Sequence, residues 1–200
     1  MVAMKIAISG LSGSGNSTAC EKVGNALKLK VINYTLRNLA IDVGMDFPTI
    51  QEKRKEDERF DLLLDKRQME AFSEEKDAII GSRLAIWMAD ANLRVWLDAP
   101  LEIRAERIAK REAKEPDQTL EETRDRDEEN RRQYLKLYGI DVEEHGLADM
   151  VLDAGSLDAD TIAERIIEEA GKEKYKNVRK SKYGVEIMQR IEKGLAGLKC

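Results

Sequence analysis

The chain has 200 residues, 42% of them hydrophobic and 36% charged, with a net charge of −5. Length and composition indicate one folded domain, with or without an appendage, and exclude a disordered chain. Two cysteines and one histidine exclude a disulfide framework and a cysteine-built zinc site, and they argue against a Ser-His-Asp hydrolase. No apolar run approaches the roughly 20 residues of a membrane span.

The first half of the chain alternates short apolar runs with segments of helical spacing. Strands are predicted at 5–9, 30–33 and 78–81, where short apolar runs stop at glycine or polar residues. Helices are predicted at 16–27, 36–42 and 49–72. No signal-peptide pattern precedes the first strand, so we expect a cytoplasmic protein.

The second half continues the alternation. Strands are predicted at 93–97 and 150–153, and helices at 84–90, 101–111, 120–137 and 158–170. Strands that alternate with helices are joined by right-handed crossovers. The pattern therefore predicts an α/β fold with a five-stranded parallel sheet flanked by helices.

A glycine-rich loop joins the first strand to the first helix. Residues 10–17 have the form GxxxxGx[ST], and Thr18 follows. The candidate phosphate-binding residues are Gly10, Leu11, Ser12, Gly13, Ser14, Gly15, Asn16, Ser17 and Thr18. Glycines let backbone N–H groups wrap around phosphates, and the helix adds the positive end of its dipole. Ser17 stands where a hydroxyl ligates Mg²⁺ on the phosphates of ATP. The alternative is a glycine-rich connection without a ligand.

Asn16 occupies the position at which this motif has a lysine. That lysine places a point charge on the β- and γ-phosphates, whereas asparagine is short and neutral. The loop therefore predicts phosphate binding more directly than phosphoryl transfer.

Several further segments occur in an order that resembles the archaeal-type cytidylate kinases, within the nucleoside monophosphate kinases. The resemblance covers about residues 4–170. The segments that carry it are 34–37 (YTLR), 57–68 (DERFDLLLDKRQ), 82–87 (SRLAIW), 96–100 (WLDAP), 104–112 (RAERIAKRE) and 132–141 (RQYLKLYGID).

The resemblance implies a P-loop kinase that transfers the γ-phosphoryl of ATP to CMP or dCMP with Mg²⁺. Residues 1–170 would form this domain, with a monophosphate-binding segment at about 35–75 and a lid at about 107–132. Arg37 and Arg83 would hold the acceptor phosphate, and the segment with Asp61, Asp65 and Arg67 would help recognise the base and sugar. The lid arginines would be Arg107, Arg111, Arg124, Arg126 and Arg131.

The spacing of these arginines is compatible with that role. Arg104, Arg107 and Arg111 recur at i, i+3 and i+7, which places them on one helix face, and arginine binds phosphate bidentately. The alternative for 121–132 is a solvated helix held by pairs such as Asp127–Arg131 and Glu128–Arg132.

Three positions depart from the family pattern and leave the acceptor and the rate open. They are Asn16, Gly81-Ser82 before Arg83, and Ile32-Asn33-Tyr34 after the second strand. Two other functions therefore stay open. One is a catalytically impaired nucleotide-binding homologue that acts as a sensor or partner. The other is a P-loop kinase for a different small acceptor.

Residues 171–200 form a basic extension that contains nine Lys or Arg and three Glu. Val185, Met188, Ile191, Leu195 and Leu198 recur at helical steps and predict an amphipathic helix. This helix either folds back onto the acidic remainder of the chain or contacts another subunit, RNA or an anionic surface. We expect small-molecule nucleotides as ligands, no membrane partner, and a monomer or homodimer.

Overall fold

The computed structural model describes residues 3–196. Its sheet has five strands, which are β1 (Lys5–Ser9), β2 (Lys30–Ile32), β3 (Ala78–Gly81), β4 (Leu93–Asp98) and β5 (Met150–Asp153). Their order is β2-β3-β1-β4-β5, and every pairing is parallel. The predicted α/β fold with a five-stranded parallel sheet is therefore confirmed.

The sheet separates two hydrophobic clusters. Because side chains alternate along a strand, Ile6 and Ile8 of β1 belong to one cluster, while Ala7 belongs to the other. All three are fully buried. Helices cover both faces, so the strands consist of near-continuous apolar residues.

Nine α-helices are present within residues 3–196. They are α1 (Asn16–Leu27), α2 (Leu36–Asp42), α3 (Phe47–Glu56), α4 (Arg59–Glu74), α5 (Ala85–Met88), α6 (Leu101–Glu112), α7 (Pro116–Tyr138), α8 (Ala159–Ala170) and α9 (Gly184–Leu195). A short 3-10 helix at Glu173–Tyr175 follows α8.

The predicted single helix at 49–72 is wrong, because the chain breaks between α3 and α4. Asp57 is extended (φ −137°, ψ 103°), and its carboxylate accepts a hydrogen bond from the Arg59 backbone N–H. A side chain that bonds to the neighbouring backbone competes with the helical ladder. Asp57 thus ends α3 and starts a new direction for α4.

The C-terminal extension folds back onto the rest of the chain. Helix α9 packs against α4, α5 and α7, and Ile187 and Ile191 are buried there. Basic residues that precede it pair with acidic ones outside the extension, as in Arg179–Asp149 and Lys180–Asp90. Leu198, the last residue of the predicted apolar stripe, lies outside the described residues.

None of the helices within residues 3–196 is both long enough and apolar enough to cross a bilayer. Cys20, on the inner face of α1, is buried, and this burial raises the pKa of its thiol to about 12. Cys200 lies outside the described part of the chain.

Candidate active site

A cavity of about 510 Å³ opens at the carboxyl ends of β1 and β3. Ligands bind at this edge in open parallel sheets. The phosphate loop (residues 10–18) forms one wall, and side chains from α4 and α7 form much of the other. The lining also includes Gly81, Ser82, Arg83, Leu84, Arg107 and Arg111.

The phosphate loop requires its glycines. A Cβ at Gly10 would lie 2.6 Å from the Leu97 carbonyl oxygen, and one at Gly13 would lie 2.7 Å from the Arg104 carbonyl oxygen. Gly13 and Gly15 also have φ values of 85° and 102°, which disfavour other residues. The loop is therefore a concave backbone surface at the start of α1, and a phosphate chain fits such a surface.

The Asn16 side chain forms two hydrogen bonds within this loop. Its Nδ2 donates to the Gly10 carbonyl oxygen (3.1 Å), and its Oδ1 accepts from Ser14 Oγ (3.1 Å). Asn16 thus holds the two ends of the loop together, and its amide brings no charge to the cavity.

Arg104 supports the loop from behind. It is buried on α6, where its Nε donates to the Ala99 carbonyl oxygen and its Nη1 donates to the Ser12 carbonyl oxygen. The same Nη1 forms an ion pair with Asp127 of α7 at 2.6 Å. Arg104 therefore fixes the loop relative to two helices, while Asp127 pairs with it rather than with Arg131.

Arg83 follows β3 and reaches across to the loop. Its Nη2 donates to Ser12 Oγ (2.7 Å), and its Nη1 donates to Tyr134 Oη (3.4 Å). Burial alone would lower the pKa of the guanidinium, but Tyr134, Asp127 and Asp65 raise it overall, so the charge is kept. Among the described residues, the buried Arg83 Nε has no hydrogen-bond partner. This unpaired donor on a charged group fits a phosphate ligand.

The opposite wall is held by hydrogen bonds between helices. Asp61 of α4 accepts from Arg54 Nε and from Gln133 Nε2, the latter at 2.7 Å. Asp65, one turn further along α4, accepts from Tyr138 Oη at 2.6 Å. These contacts tie α3, α4 and α7 together at the cavity.

Burial of Asp65 changes its proton affinity. Burial raises the pKa of Asp65 to about 6, and Asp61 adds to the shift, while the hydrogen bond from Tyr138 opposes it. Burial also raises the pKa of Tyr138 and of Tyr134, so both phenols stay protonated donors. The wall can therefore offer a carboxyl group that takes up a proton just below neutral pH.

Two of the predicted lid arginines line the cavity. Arg107 donates to the Ala154 carbonyl oxygen (2.8 Å), and Arg111 pairs with Glu112 (2.7 Å). Both lie on α6 with exposed side chains. They bring positive charge to the loop side of the cavity.

The structure places five other predicted arginines outside the lining, one of which is the half-buried Arg126 of α7. Arg37 stacks on the Phe47 ring, Arg67 pairs with Glu70, and Arg131 pairs with Asp141 and Glu143. Arg124 is exposed on α7. The alternative interpretation of this segment paired Arg131 with Asp127. In the structure, Arg131 pairs with Asp141 instead.

Sequence reasoning did not assign Arg54, Gln133, Tyr134 or Tyr138 to the site. Arg54 and Asp61 lie on different helices, on either side of the break at Asp57, so their spacing gave no signal for this contact. The α7 residues had no signal either, because nothing local indicates that α7 faces α4. Within residues 3–196, no three His, Cys, Asp or Glu side chains cluster as a metal site.

The fold and the loop define a P-loop kinase, and solved structures agree with this class. A shikimate kinase from Bacteroides thetaiotaomicron has a TM-score of 0.57 at 14% identity, covering 84% of this chain and 99% of that one. A deoxyadenosine kinase from M. mycoides with bound dATP has a TM-score of 0.51 at 16% identity, covering 84% and 100%. At these identities the structural similarity shows the fold alone.

The family follows from sequence. The model of the Cytidylate kinase-like family matches residues 5–156. Cytidylate kinase 2 of Borrelia garinii subsp. bavariensis is 36% identical over 179 residues, covering 87% of this chain and 100% of the relative. Cytidylate kinase of Archaeoglobus fulgidus is 38% identical over 167 residues, covering 82% and 93%. The chain belongs to this family, and so to the ATP-dependent nucleoside monophosphate kinases.

Proposed function

We propose that the protein transfers the γ-phosphoryl group of ATP to CMP or dCMP. The observation that carries this proposal is the placement of Arg83, a half-buried cation whose buried Nε is unpaired, between the phosphate loop and the α4–α7 wall. Phosphoryl transfer needs positioned phosphates and positive charge around the transferred group, and the concave loop and the Arg83 guanidinium support the assignment of both to this cavity. The names of the relatives support cytidine monophosphate as the acceptor.

In this proposal the loop residues 10–18 hold the phosphates of ATP through backbone N–H groups. Ser17, exposed in the first turn of α1, would hold Mg²⁺, which neutralises phosphate charge when bound. Arg83 would anchor the acceptor phosphate. The acceptor base and sugar would lie near Asp61 and Asp65.

We further propose that Arg107 and Arg111 supply the charge that Asn16 does not bring. They line the same cavity as the loop, and their helix begins three residues after β4 ends. Arginine stabilises developing charge on phosphate oxygens through paired N–H donors. The neutral Asn16 would then serve the shape of the loop, since its amide spans Gly10 and Ser14.

A second function has one observation in its favour. The Asn16 side chain is committed to the loop, so a site without compensation would bind ATP and transfer little. Such a protein would act as a nucleotide sensor or partner. Soluble nucleotides as ligands are compatible with a cytoplasmic location under either proposal.

An assay that couples ADP release to a dehydrogenase reaction distinguishes the kinase from the nucleotide sensor. CMP, dCMP, UMP, AMP and GMP are each supplied with Mg-ATP, and calorimetric titration with Mg-ATP runs in parallel. We expect turnover with CMP or dCMP in preference to the others. Preference for another acceptor would overturn the proposed specificity, while ATP binding without any turnover would favour the sensor.

A further inference from the structure

Helix α9 lies behind the α4–α7 wall of the cavity and contacts both helices. It follows the matched family region, which ends at residue 156. Its buried residues Ile187 (1% exposed) and Ile191 (0%) join one hydrophobic cluster with Leu62 of α4 and Tyr134 of α7. The cluster thus connects α9 to the residues that flank the site.

The contact with α4 is close. A Cβ added at Gly194 would lie 2.4 Å from Leu62 Cδ1, so a larger residue at this position would press on the Leu62 side chain. Leu62 is buried, and it lies between Asp61 and Asp65 on α4, which both line the cavity. A methyl group at Gly194 would have to be accommodated by a shift of the Leu62 side chain or of α4, and a shift of α4 would move both carboxyl groups.

The contact with α7 lies at the end of that helix. A Cβ at Gly139, which caps α7 with φ 69°, would lie 3.4 Å from Arg190 Nη1. Tyr138, the residue before this cap, donates to Asp65. Helix α9 therefore contacts the two helices that this hydrogen bond joins.

We propose that α9 positions the acceptor half of the site by setting the separation between α4 and α7. This inference rests on the proposed function, in which the acceptor base and sugar lie near Asp61 and Asp65. The phosphate loop does not depend on α9, because Arg104, Asn16 and the strand ends hold it. Helix α9 should thus affect the acceptor and spare ATP.

Gly194→Ala tests the inference with a small change. Alanine favours the helix more than glycine does, so the effect should come from the added methyl group against Leu62. We expect KM for CMP to rise about fivefold, with KM for ATP within about twofold of the unaltered value. Val185→Ala, at a 71% exposed position on the same helix, is the matched control and should change neither KM.

A double variant separates positioning from general loosening. Leu62→Ala removes the side chain that the new methyl group meets, so Leu62→Ala with Gly194→Ala should show a smaller rise in acceptor KM than the two single changes predict together. Additive effects, or equal changes in both KM values, would overturn the inference. If Gly194→Ala loses its cooperative thermal transition, Ile191→Val serves instead. We expect this variant to raise the acceptor KM about twofold. An unchanged acceptor KM would contradict the inference.

The unaltered protein is assayed first with all the monophosphates, and the preferred one serves as the probe. No turnover or binding of any monophosphate by this protein contradicts the proposed function. Normal turnover, with acceptor KM unaffected by Gly194→Ala, contradicts only the role of α9.

Discussion

The phosphate loop consists of nine consecutive residues, whereas the facing wall consists of two helices that are distant in sequence, α4 and α7. The two hydrogen bonds that join these helices connect residues 72 and 73 positions apart. Backbone geometry shapes the loop, at glycines where a side chain would clash with backbone carbonyls. Side chains shape the facing wall, through Asp61, Asp65 and their partners. The loop should therefore tolerate surface changes elsewhere, while the facing wall should respond to changes in any of its helices.

Arg104→Met gives the largest expected effect, because Arg104 is the buried side chain that ties the loop to α6 and α7. Methionine removes the donors to Ser12 and Ala99 and leaves Asp127 without its partner. Breaking a buried ion pair costs several kcal/mol. We expect the free energy of unfolding in urea to fall by about 3 kcal/mol.

The matched control for this change is Arg111→Met, on the same helix but exposed and paired only with Glu112 among the described contacts. It should cost less than about 0.5 kcal/mol. A loss below about 1 kcal/mol in Arg104→Met would mean that the loop holds its shape by backbone geometry alone.

Arg83→Ala tests the difference between the two sides of the cavity, because Arg83 donates hydrogen bonds to Ser12 of the loop and to Tyr134 of the facing wall. We expect kcat/KM for the acceptor to fall about 100-fold, or roughly 2.7 kcal/mol. ATP affinity, measured by calorimetry, should change less than about threefold, because the loop backbone binds the donor. Arg67→Ala, on an exposed part of α4, is the control, and equal weakening of ATP and acceptor in Arg83→Ala would contradict the assignment.

Asp65→Asn tests the facing wall through pH. The pKa of Asp65 in the folded protein, about 6, lies above its ordinary value of 3.8, so the folded state favours the protonated acid. The stability of the unaltered protein should therefore fall as pH rises from about 4 to about 6 through this group. Asparagine keeps an acceptor for Tyr138 but does not ionise.

The difference between these two pKa values, about 6 and 3.8, corresponds to about 3 kcal/mol. The variant should therefore gain up to about 3 kcal/mol over the unaltered protein at pH 7, and most of this gain should be lost by pH 4. Urea unfolding at pH 4, 5, 6 and 7 measures it. A constant difference across that range would show that Asp65 does not titrate between these values.

Asn16→Lys should have the smallest effect. The loop loses the bonds to Gly10 and Ser14 and gains an ammonium near the phosphates. If Arg107 and Arg111 already supply the charge, kcat stays flat or falls slightly. A gain of about tenfold or more, equivalent to roughly 1.4 kcal/mol, would show instead that the natural site lacks compensation.

The sequence was sufficient to predict the loop wall and the sheet, because both depend on local patterns. Apolar runs marked all five strands, and the GxxxxGx[ST] spacing marked residues 10–18. It was insufficient for the break at Asp57, since the flanking segments have helical spacing on both sides and only a side-chain hydrogen bond separates them.

The facing wall could not be predicted in the same way. Arg54, Gln133 and Tyr138 acquire their positions from tertiary packing between α3, α4 and α7, which no local spacing encodes. In the arginine-rich segment 121–132, the sequence predicted site residues that the structure places elsewhere. Its charges suggested phosphate ligands, yet Arg131 pairs with Asp141 and Glu143, and Arg124 faces solvent.

The position of α9 has a consequence for biosynthesis. A chain emerges from the ribosome in sequence order, and its earlier parts begin to fold first. Every residue that shapes the phosphate loop, including Arg104 and Asp127, precedes α9, and so do α4 and α7. A nascent chain can thus complete the loop side while the cluster around Leu62 still lacks Ile187 and Ile191. The helix translated after the others covers this apolar surface and, in doing so, completes the wall.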